Sequence, residues 1–291
     1  MRIRSSLDSQ GDKLAMRSIG QVREGRTIGE MLNLTSAQQE AVARRQAETG
    51  HLFGEAVVEL GFANADQVRR AIEQQQGFSV LSDGDSRIDP LVVAAFDPED
   101  ALARNTRNLR STVTAAMRHD GQRVRSVALV GRDAVAELPI LVANLAVSCA
   151  QAGVPTLLVD ADLNCPHQHA LFRVRNRAGV ATLLASNEHR EQVQPTAISG
   201  LSLLTSGPAI SNASELFDRQ RLANAVELFV DEFGLVLVDA GCDVTAIAAA
   251  KGLDAAIIVL RRNVTYTSDL RLLVEQLEAN GQTILGIVLV D

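Results

Sequence analysis

The chain lacks tryptophan and has little aromatic or sulfur-containing side chain of any kind. It contains one tyrosine and three cysteines among 291 residues. The cysteines, Cys149, Cys165 and Cys242, are odd in number, far apart and outside any Cys-x-x-Cys pair. They therefore give no indication of a disulfide framework or a zinc site, and such usage is typical of a cytosolic protein.

The chain has fewer basic than acidic residues, 28 against 35, and it lacks long apolar runs. The formal net charge is −7, and a nucleic-acid-binding surface needs Lys and Arg to neutralise phosphates, so we expect no nucleic acid as the main partner. The longest apolar candidate, 138–152, contains Asn144, Ser148 and Gln151 and falls short of the ~18–20 residues of a membrane-spanning helix. No apolar stretch follows the N-terminal arginines, so we expect no signal peptide either.

The composition is that of a globular protein, 46% hydrophobic and rich in Ala, Val and Leu. The chain also contains an internal repeat near its N-terminus. Residues 1–25 are polar, and we expect them to be flexible. The segment RTIGEMLNLTSAQQEAVARRQ (26–46) is echoed by HLFGEAVVELGFANADQVRRAIEQQ (51–75). Thr35-Ser36 and Asn64-Ala65-Asp66 supply helix N-cap chemistry at matching places. Two such units predict a small, mainly helical domain over 26–78, followed by a turn-rich linker over 79–97.

From residue 98 onward, apolar runs alternate with helical segments. Helices are predicted over 98–119, 138–152, 214–233 and 267–280. The runs between them are apolar throughout, as expected of strands buried on both faces, and they read VRSVALVG, TLLVDA, LSLLTSG, LVLVDAG, AAIIVLRR and ILGIVLV. This alternation predicts an α/β domain over 98–291, a mostly parallel sheet with helices on both faces, whose ligands bind at the carboxyl ends of the strands.

Five stretches of this region carry one resemblance, and they read AVSCAQAG (146–153), LLVDADLNCPHQHALF (157–172), GPAISNASELF (207–217), LVLVDAG and RRNVTYTSDL. Together they resemble the ATPase domain of the bacterial tyrosine autokinases of capsule and exopolysaccharide assembly. The resemblance covers 96–291 and implies a P-loop NTPase-like fold. The 26–78 repeat is similar to the small domain at the front of type II secretion ATPases, which also heads one branch of the exopolysaccharide kinases.

The phosphate-binding loop of that family is degenerate here. The family motif is near P-G-E-G-K-S-T, and Asn-Leu-Ala at 144–146 fixes its register. After Gly131, the positions of the two glycines, the lysine and the serine are Val135, Glu137, Leu138 and Pro139. Side chains replace the backbone that should contact phosphate, and a carboxylate beside a triphosphate would cost about 1–4 kcal/mol at ~4 Å. We therefore expect no cofactor, with ATP and magnesium required only if this loop functions, and we expect Glu137 to take the anion position at the helix N-terminus.

The carboxylates of the other family motifs remain. The resemblance implies that Asp160, Asp162 and Asp239 would handle magnesium and the attacking hydroxyl. Without the lysine and serine of the loop, we interpret them as vestigial strand-end carboxylates that accept backbone N–H bonds. The Cys-x-His-x-His pattern at 165–169 fits the family segment without a metal, so no metal site is predicted.

Two further departures concern contacts between chains. The family's E-x-x-R-x-x-R motif for self-association reads Arg104, Arg107, Arg110 here, with arginine in place of the leading glutamate. An altered partner contact and a solvated helix face both remain open, and so does a homo-oligomer. The C-terminal tyrosine cluster of the kinases is not found before Asp291, and we expect Tyr266 to be a surface residue.

These observations favour a catalytically degenerate relative of the polysaccharide kinases. It would bind a membrane chain-length determinant or export protein at the cytoplasmic face of the inner membrane and regulate or scaffold polymer assembly. An active ATPase or tyrosine kinase is the first alternative. A ParA/Min-like positioning protein would need a loop lysine that is missing. A cyclic di-GMP-responsive regulator would use the N-terminal domain, where Gly29 and Gly54 could approach phosphate.

Overall fold

The computed structural model describes residues 27–64, 67–68, 71, 81, 84–132, 135–186, 192–210 and 213–290. The segment 1–25, predicted to be flexible, lies outside these ranges. Contacts divide the chain into two compact units, Met1–Gln75 and Gln76–Asp291.

The first unit repeats one structural pattern twice, as the sequence predicts. The helices whose bounds lie within the described ranges are α1 (Ile28–Met31), α2 (Ser36–Thr49) and α3 (Phe53–Glu59). In each repeat a glutamate accepts the backbone N–H at the start of a short helix, Thr27 to Glu30 at 2.8 Å and Leu52 to Glu55 at 2.9 Å. Each short helix is followed by a residue in the left-handed conformation, Asn33 in the first repeat and Gly61 in the second.

The next helix of each repeat begins at a second capping box. Thr35 and Gln38 exchange bonds in the first repeat, and Asn64 and Gln67 do so in the second, at 2.9 and 2.8 Å. Both predicted N-caps are therefore confirmed. The apolar faces of the repeats pack on each other in a small core formed by Leu34, Val42, Ala56, Val57 and Val68.

The second unit is an α/β layer structure. Its helices are α4 (Ala101–Ala115), α5 (Leu138–Gln151), α6 (Gln168–Leu171), α7 (Val180–Ser186), α8 (Ala213–Leu216), α9 (Arg221–Glu227), α10 (Ala246–Ala250) and α11 (Thr267–Ala279). Its strands are β1 (Ser126–Gly131), β2 (Thr156–Asp160), β3 (Gln194–Pro195), β4 (Leu201–Leu204), β5 (Leu235–Asp239), β6 (Ala255–Arg261) and β7 (Thr283–Val290).

The sheet has the order β3-β4-β2-β5-β1-β6-β7. Every neighbouring pair is parallel except β3 and β4, which are antiparallel. Two hydrophobic clusters cover the two faces of the sheet. The predicted fold class is thus confirmed, and the two-residue strand β3 is an addition that was not predicted.

The described part of the predicted linker, 81 and 84–97, packs in the α/β unit instead of connecting two domains loosely. Ile88, Val92 and Ala95 are buried in one of its hydrophobic clusters. Asn144 of α5 accepts the Ala94 N–H at 2.8 Å and donates to the Leu91 carbonyl at 3.0 Å. The apolar run at 91–96 outweighs the turn residues that precede it. We call residues 88–95 the strap.

The helix predicted over 214–233 is broken. It consists of α8, a 3₁₀ turn at Asp218–Gln220, and α9. Gln220 adopts the left-handed conformation, with φ of 58°, which interrupts a right-handed helix. Within the described ranges, no helix combines the length and apolar character required to cross a bilayer.

Candidate functional site

The predicted site residues lie where the carboxyl ends of β1, β2 and β5 meet the start of α5. Asp160 ends β2 and Asp239 ends β5, and the two are in register on adjacent strands. Gly131 ends β1. The parallel sheet therefore brings the three sequence motifs to one edge, as its topology requires.

The loop after β1 is filled by apolar side chains. Gly131 donates its N–H to the Gly241 carbonyl at 2.9 Å. Val135 is 2% exposed and Leu138 is fully buried, while the Cys242 thiol contacts the Val135 carbonyl at 3.6 Å. A Cβ added to Gly131 would collide with the Cys242 thiol and would lie 3.1 Å from Leu138 Cδ2. The space beside Gly131 is thus occupied by protein.

Glu137 and Pro139 begin helix α5. Glu137 is the N-cap residue, but its side chain makes no capping bond, and its Oε2 is buried without a hydrogen-bond partner. The expected anion position of Glu137 is therefore not supported by a capping bond, since Glu137 has a helical backbone conformation instead of the extended one typical of a capping residue. Pro139 lies in the first turn, where the missing N–H costs nothing.

Asp160 and Asp239 form a buried acid pair. Asp160 is fully buried, and its Oδ2 accepts the Gln168 N–H at 3.0 Å while its Oδ1 has no partner. Asp239 accepts the Gly241 N–H at 3.2 Å on Oδ1 and the Gln168 side-chain amide at 2.7 Å on Oδ2. Burial, and then the neighbouring Asp239, raise the pKa of Asp160 well above its usual range. Burial likewise raises the pKa of Asp239 to about 6.

Asp162 lies at the rim of this pair and is only half-buried. Its Oδ1 accepts the Cys165 N–H at 2.9 Å, and its carboxylate packs against Gly241, where an added Cβ would lie 2.7 Å from it. Gly241 has φ of 77°, so both its conformation and this contact require glycine. Burial raises the pKa of Asp162 above its usual range.

Gln168 is the site residue that sequence reasoning missed. It is fully buried, and its side-chain amide donates to the Pro139 carbonyl at 2.9 Å as well as to Asp239. The available signal was a polar residue between His167 and His169, but the histidines drew attention to a metal instead. Gln168 therefore bonds to the end of β2, the end of β5 and the first turn of α5.

The arginines of α4 make contacts within their own chain. Arg107 donates to the Pro98 carbonyl at 2.5 Å, and Arg110 donates to the Ser148 carbonyl of α5 at 3.2 Å. Arg104 is exposed. The predicted role of all three in contacts between chains stays a prediction, and Arg104 is the most accessible of them.

The remaining candidate residues lie outside the acid pair. Cys165 and His167 are exposed, and His169 is partly buried with Nδ1 lacking a partner. Across the described ranges, no three His, Cys, Asp or Glu side chains are grouped to hold a metal ion. Tyr266 precedes α11 and is 76% exposed.

Comparison with known proteins finds homologues among the bacterial tyrosine-protein kinases. No protein-family model matches the chain. CapB of Staphylococcus aureus, a putative tyrosine-protein kinase, is 28% identical over 155 residues, which are 53% of this chain and 67% of CapB. Etk of Escherichia coli K12, a tyrosine-protein kinase, is 27% identical over 203 residues, 68% of this chain and 27% of Etk. The chain is a homologue of the bacterial tyrosine-protein kinases. It spans less than a third of the length of Etk.

Solved structures agree with this kinase homology. The kinase domain of E. coli Etk has a TM-score of 0.63 at 26% identity, covering 70% of this chain and 80% of that chain. The chimerical protein CapA2B2 has a TM-score of 0.61 at 28% identity, covering 75% and 96%. MinD of Pyrococcus horikoshii, solved with Mg-ADP, has a TM-score of 0.51 at 20% identity over 57% and 70%, a likeness of fold alone. The predicted resemblance to the bacterial tyrosine kinases and the predicted P-loop NTPase-like fold are confirmed.

Proposed function

We propose that this chain is a catalytically degenerate relative of the tyrosine kinases of polysaccharide biosynthesis, which regulates or scaffolds exopolysaccharide assembly and export by protein–protein contact. The partner would be a membrane chain-length determinant or export protein, and that contact would hold this chain at the cytoplasmic face of the inner membrane. The family resemblance suggests this kind of partner, and the chimera CapA2B2 is among the similar structures.

The filled loop is the observation that carries this proposal. A phosphate-binding loop presents backbone N–H groups, a lysine and a hydroxyl to the phosphates. Here Leu138, at the lysine position, is fully buried in the core, and Pro139, at the serine position, has neither a hydroxyl nor an N–H. Glu137 adds a carboxylate whose Oε2 already lacks a partner. These residues do not fit a triphosphate and its magnesium.

The scarcity of lysine supports the same conclusion. The chain has two lysines, Lys13 and Lys251. Lys13 lies outside the described residues. Lys251 follows α10 and precedes β6, so it lies at the amino edge of the sheet, opposite the acid pair. The family's lysine in the loop therefore has no substitute lysine at the described carboxyl edge.

Nucleotide binding by isothermal titration calorimetry tests the proposal. The wild-type chain should give no binding heat with ATP in the presence of magnesium. A variant combining Val135→Gly, Glu137→Gly, Leu138→Lys and Pro139→Ser should acquire ATP affinity. The matched control carries Leu138→Ala in place of Leu138→Lys. It should give no binding heat with ATP, because it opens the loop without supplying a positive charge. Binding of ATP by the wild-type chain would refute the proposal.

An active kinase is the second candidate function, and the three carboxylates gathered at one sheet edge favour it. The only cation between residues 131 and 139 is Arg132, so it is the loop residue that could replace the charge of the missing lysine. ADP release and anti-phosphotyrosine blotting of the wild-type chain, compared with Arg132→Ala, separate the candidates. If the wild-type chain is active and Arg132→Ala abolishes that activity, the chain is an active kinase, and the proposal that it is catalytically degenerate is refuted.

A further inference from the structure

Gln168 makes the three contacts that connect the ends of the site. Its backbone N–H donates to Asp160 Oδ2 at 3.0 Å. The two N–H groups of its side-chain amide are both used, one on Asp239 Oδ2 at 2.7 Å and one on the Pro139 carbonyl at 2.9 Å. These bonds hold the ends of β2 and β5 against the first turn of α5.

The groups that this amide binds are the groups a hard divalent cation prefers. Magnesium and manganese take carboxylate and carbonyl oxygens as ligands. The amide of Gln168 brings two positively polarised N–H groups to one carboxylate oxygen and one carbonyl oxygen inside the protein. It therefore satisfies those oxygens without a net positive charge.

The acid cluster is closed to solvent. Asp160 and Gln168 are both fully buried, and Asp239 is 2% exposed. Two acceptor atoms of this cluster, Asp160 Oδ1 and Gln168 Oε1, have no hydrogen-bond partner. The cluster thus has spare oxygen ligands, and the side-chain amide of Gln168 bonds to two further oxygens beside them, Asp239 Oδ2 and the Pro139 carbonyl.

We propose that Gln168 takes the place of a divalent cation in this chain and closes the acid cluster, so that replacing its amide creates a cation site. This inference rests on the proposed function, since it explains how a kinase-like site persists without magnesium. It assigns Gln168 as a positioning residue that holds Asp160, Asp239 and the start of α5 together.

The test uses Gln168→Glu, which keeps the shape of the side chain and exchanges the two donors for a third carboxylate. The variant should be destabilised in the absence of metal and should be rescued by Mn²⁺ alone. Mn²⁺ at ten times its dissociation constant multiplies the ratio of folded to unfolded chain about elevenfold, which corresponds to a rise in melting temperature of about 3–6 °C. The wild-type chain should show no shift with Mn²⁺.

Gln151→Glu is the matched control. Gln151 is also a buried glutamine whose amide donates to a carbonyl, that of Ala94, at 2.8 Å, but its described contacts include no acid. This variant should be destabilised in the same way and should not be rescued by Mn²⁺. A merely structural role for Gln168 would make the two variants respond alike.

Gln168→Ala covers the case in which the glutamate variant does not fold. It should bind Mn²⁺, as measured by loss of the free-ion signal in electron paramagnetic resonance, and Asp160→Asn in the same chain should abolish that binding. The proposal is overturned if the wild-type chain binds Mn²⁺ as tightly as the variants, or if no foldable Gln168 variant binds it. These outcomes concern metal alone, so they are separate from ATP binding by the wild-type chain.

Discussion

The buried acid pair predicts an unusual dependence of stability on pH, and Asp160→Asn is the perturbation that isolates it. An asparagine at 160 has the shape of a protonated aspartate. Its oxygen can accept the Gln168 N–H as Asp160 Oδ2 does, and its amino group can face the side on which Asp160 Oδ1 has no partner. We therefore expect this substitution to stabilise the fold at neutral pH.

The magnitude follows from the proton balance. The pKa values of Asp160 and Asp239 are both raised in the fold, so folding takes up protons wherever the unfolded chain is ionised, and stability falls as pH rises. While Asp160 is protonated in the fold and ionised in the unfolded chain, stability falls by at most about 1.4 kcal/mol for each unit of rising pH. Asp239, with a pKa of about 6, adds a loss of about 1 kcal/mol between about pH 5 and about pH 7. Asp160→Asn should remove the part that is due to Asp160.

Urea unfolding at several pH values, followed by far-ultraviolet circular dichroism because the chain lacks tryptophan, measures this difference. The wild-type chain should lose stability more steeply than Asp160→Asn as pH rises from about 5 to about 7, by up to about 1.4 kcal/mol per pH unit, with other titrating groups common to both. Asp239→Asn is the control: both oxygens of Asp239 accept hydrogen bonds, so an amino group there faces a donor and should cost about 1–3 kcal/mol. Equal pH slopes, or a less stable Asp160→Asn at neutral pH, would mean that Asp160 is ionised in the fold and would refute the reasoning.

Two further predictions test the packing around the site. Gly131→Ala should cost about 1–3 kcal/mol, because its Cβ meets Cys242 and Leu138, and thermal melts should show that Cys242→Ala relieves most of this loss; equal losses in both backgrounds would contradict the filled loop. Asn144→Ala should cost about 2–4 kcal/mol through the lost bonds to the strap and should speed hydrogen exchange at Ala94, whereas unchanged exchange would mean that apolar packing alone holds the strap.

The architecture of the α/β unit could be predicted from sequence because its signals are local and repeated. Each central strand is apolar throughout, as burial on both faces requires, and each is separated from the next by a helix-length segment. The strap was missed because turn residues and acidic charge at 79–90 outweighed the apolar run that follows. Asn144 and Gln151, polar residues in an otherwise apolar helix, were signals that α5 had a partner.

The site was predicted in part for the same reason. Asp160 and Asp239 follow apolar strands, so a parallel sheet must bring them to one edge. Gln168 could not be placed in this way, since its role depends on α6 turning back over the sheet, which no periodicity encodes. The conformation of Glu137 was also beyond sequence reasoning, because a residue before a helix can adopt either an extended or a helical backbone and only the extended one directs a side chain to the N–H groups.

The missing lysine of the loop and the uncharged side chain of Gln168 are related, because both affect the net charge of the site. A kinase-like site sets a triphosphate against a lysine and a divalent cation, so removing the lysine alone would leave excess negative charge at a buried edge. Here Leu138 and Gln168 occupy the positions near which those cations would act, and both are uncharged. The burial that raises the pKa of Asp160 also lets a proton neutralise that carboxyl group. Restoring a single cation, for example by Leu138→Lys alone, would bury an ammonium without its phosphates and should destabilise the fold, since an unpaired buried charge is costly. The substitutions are therefore compatible with each other only as a set, as the proposed loss of nucleotide binding requires.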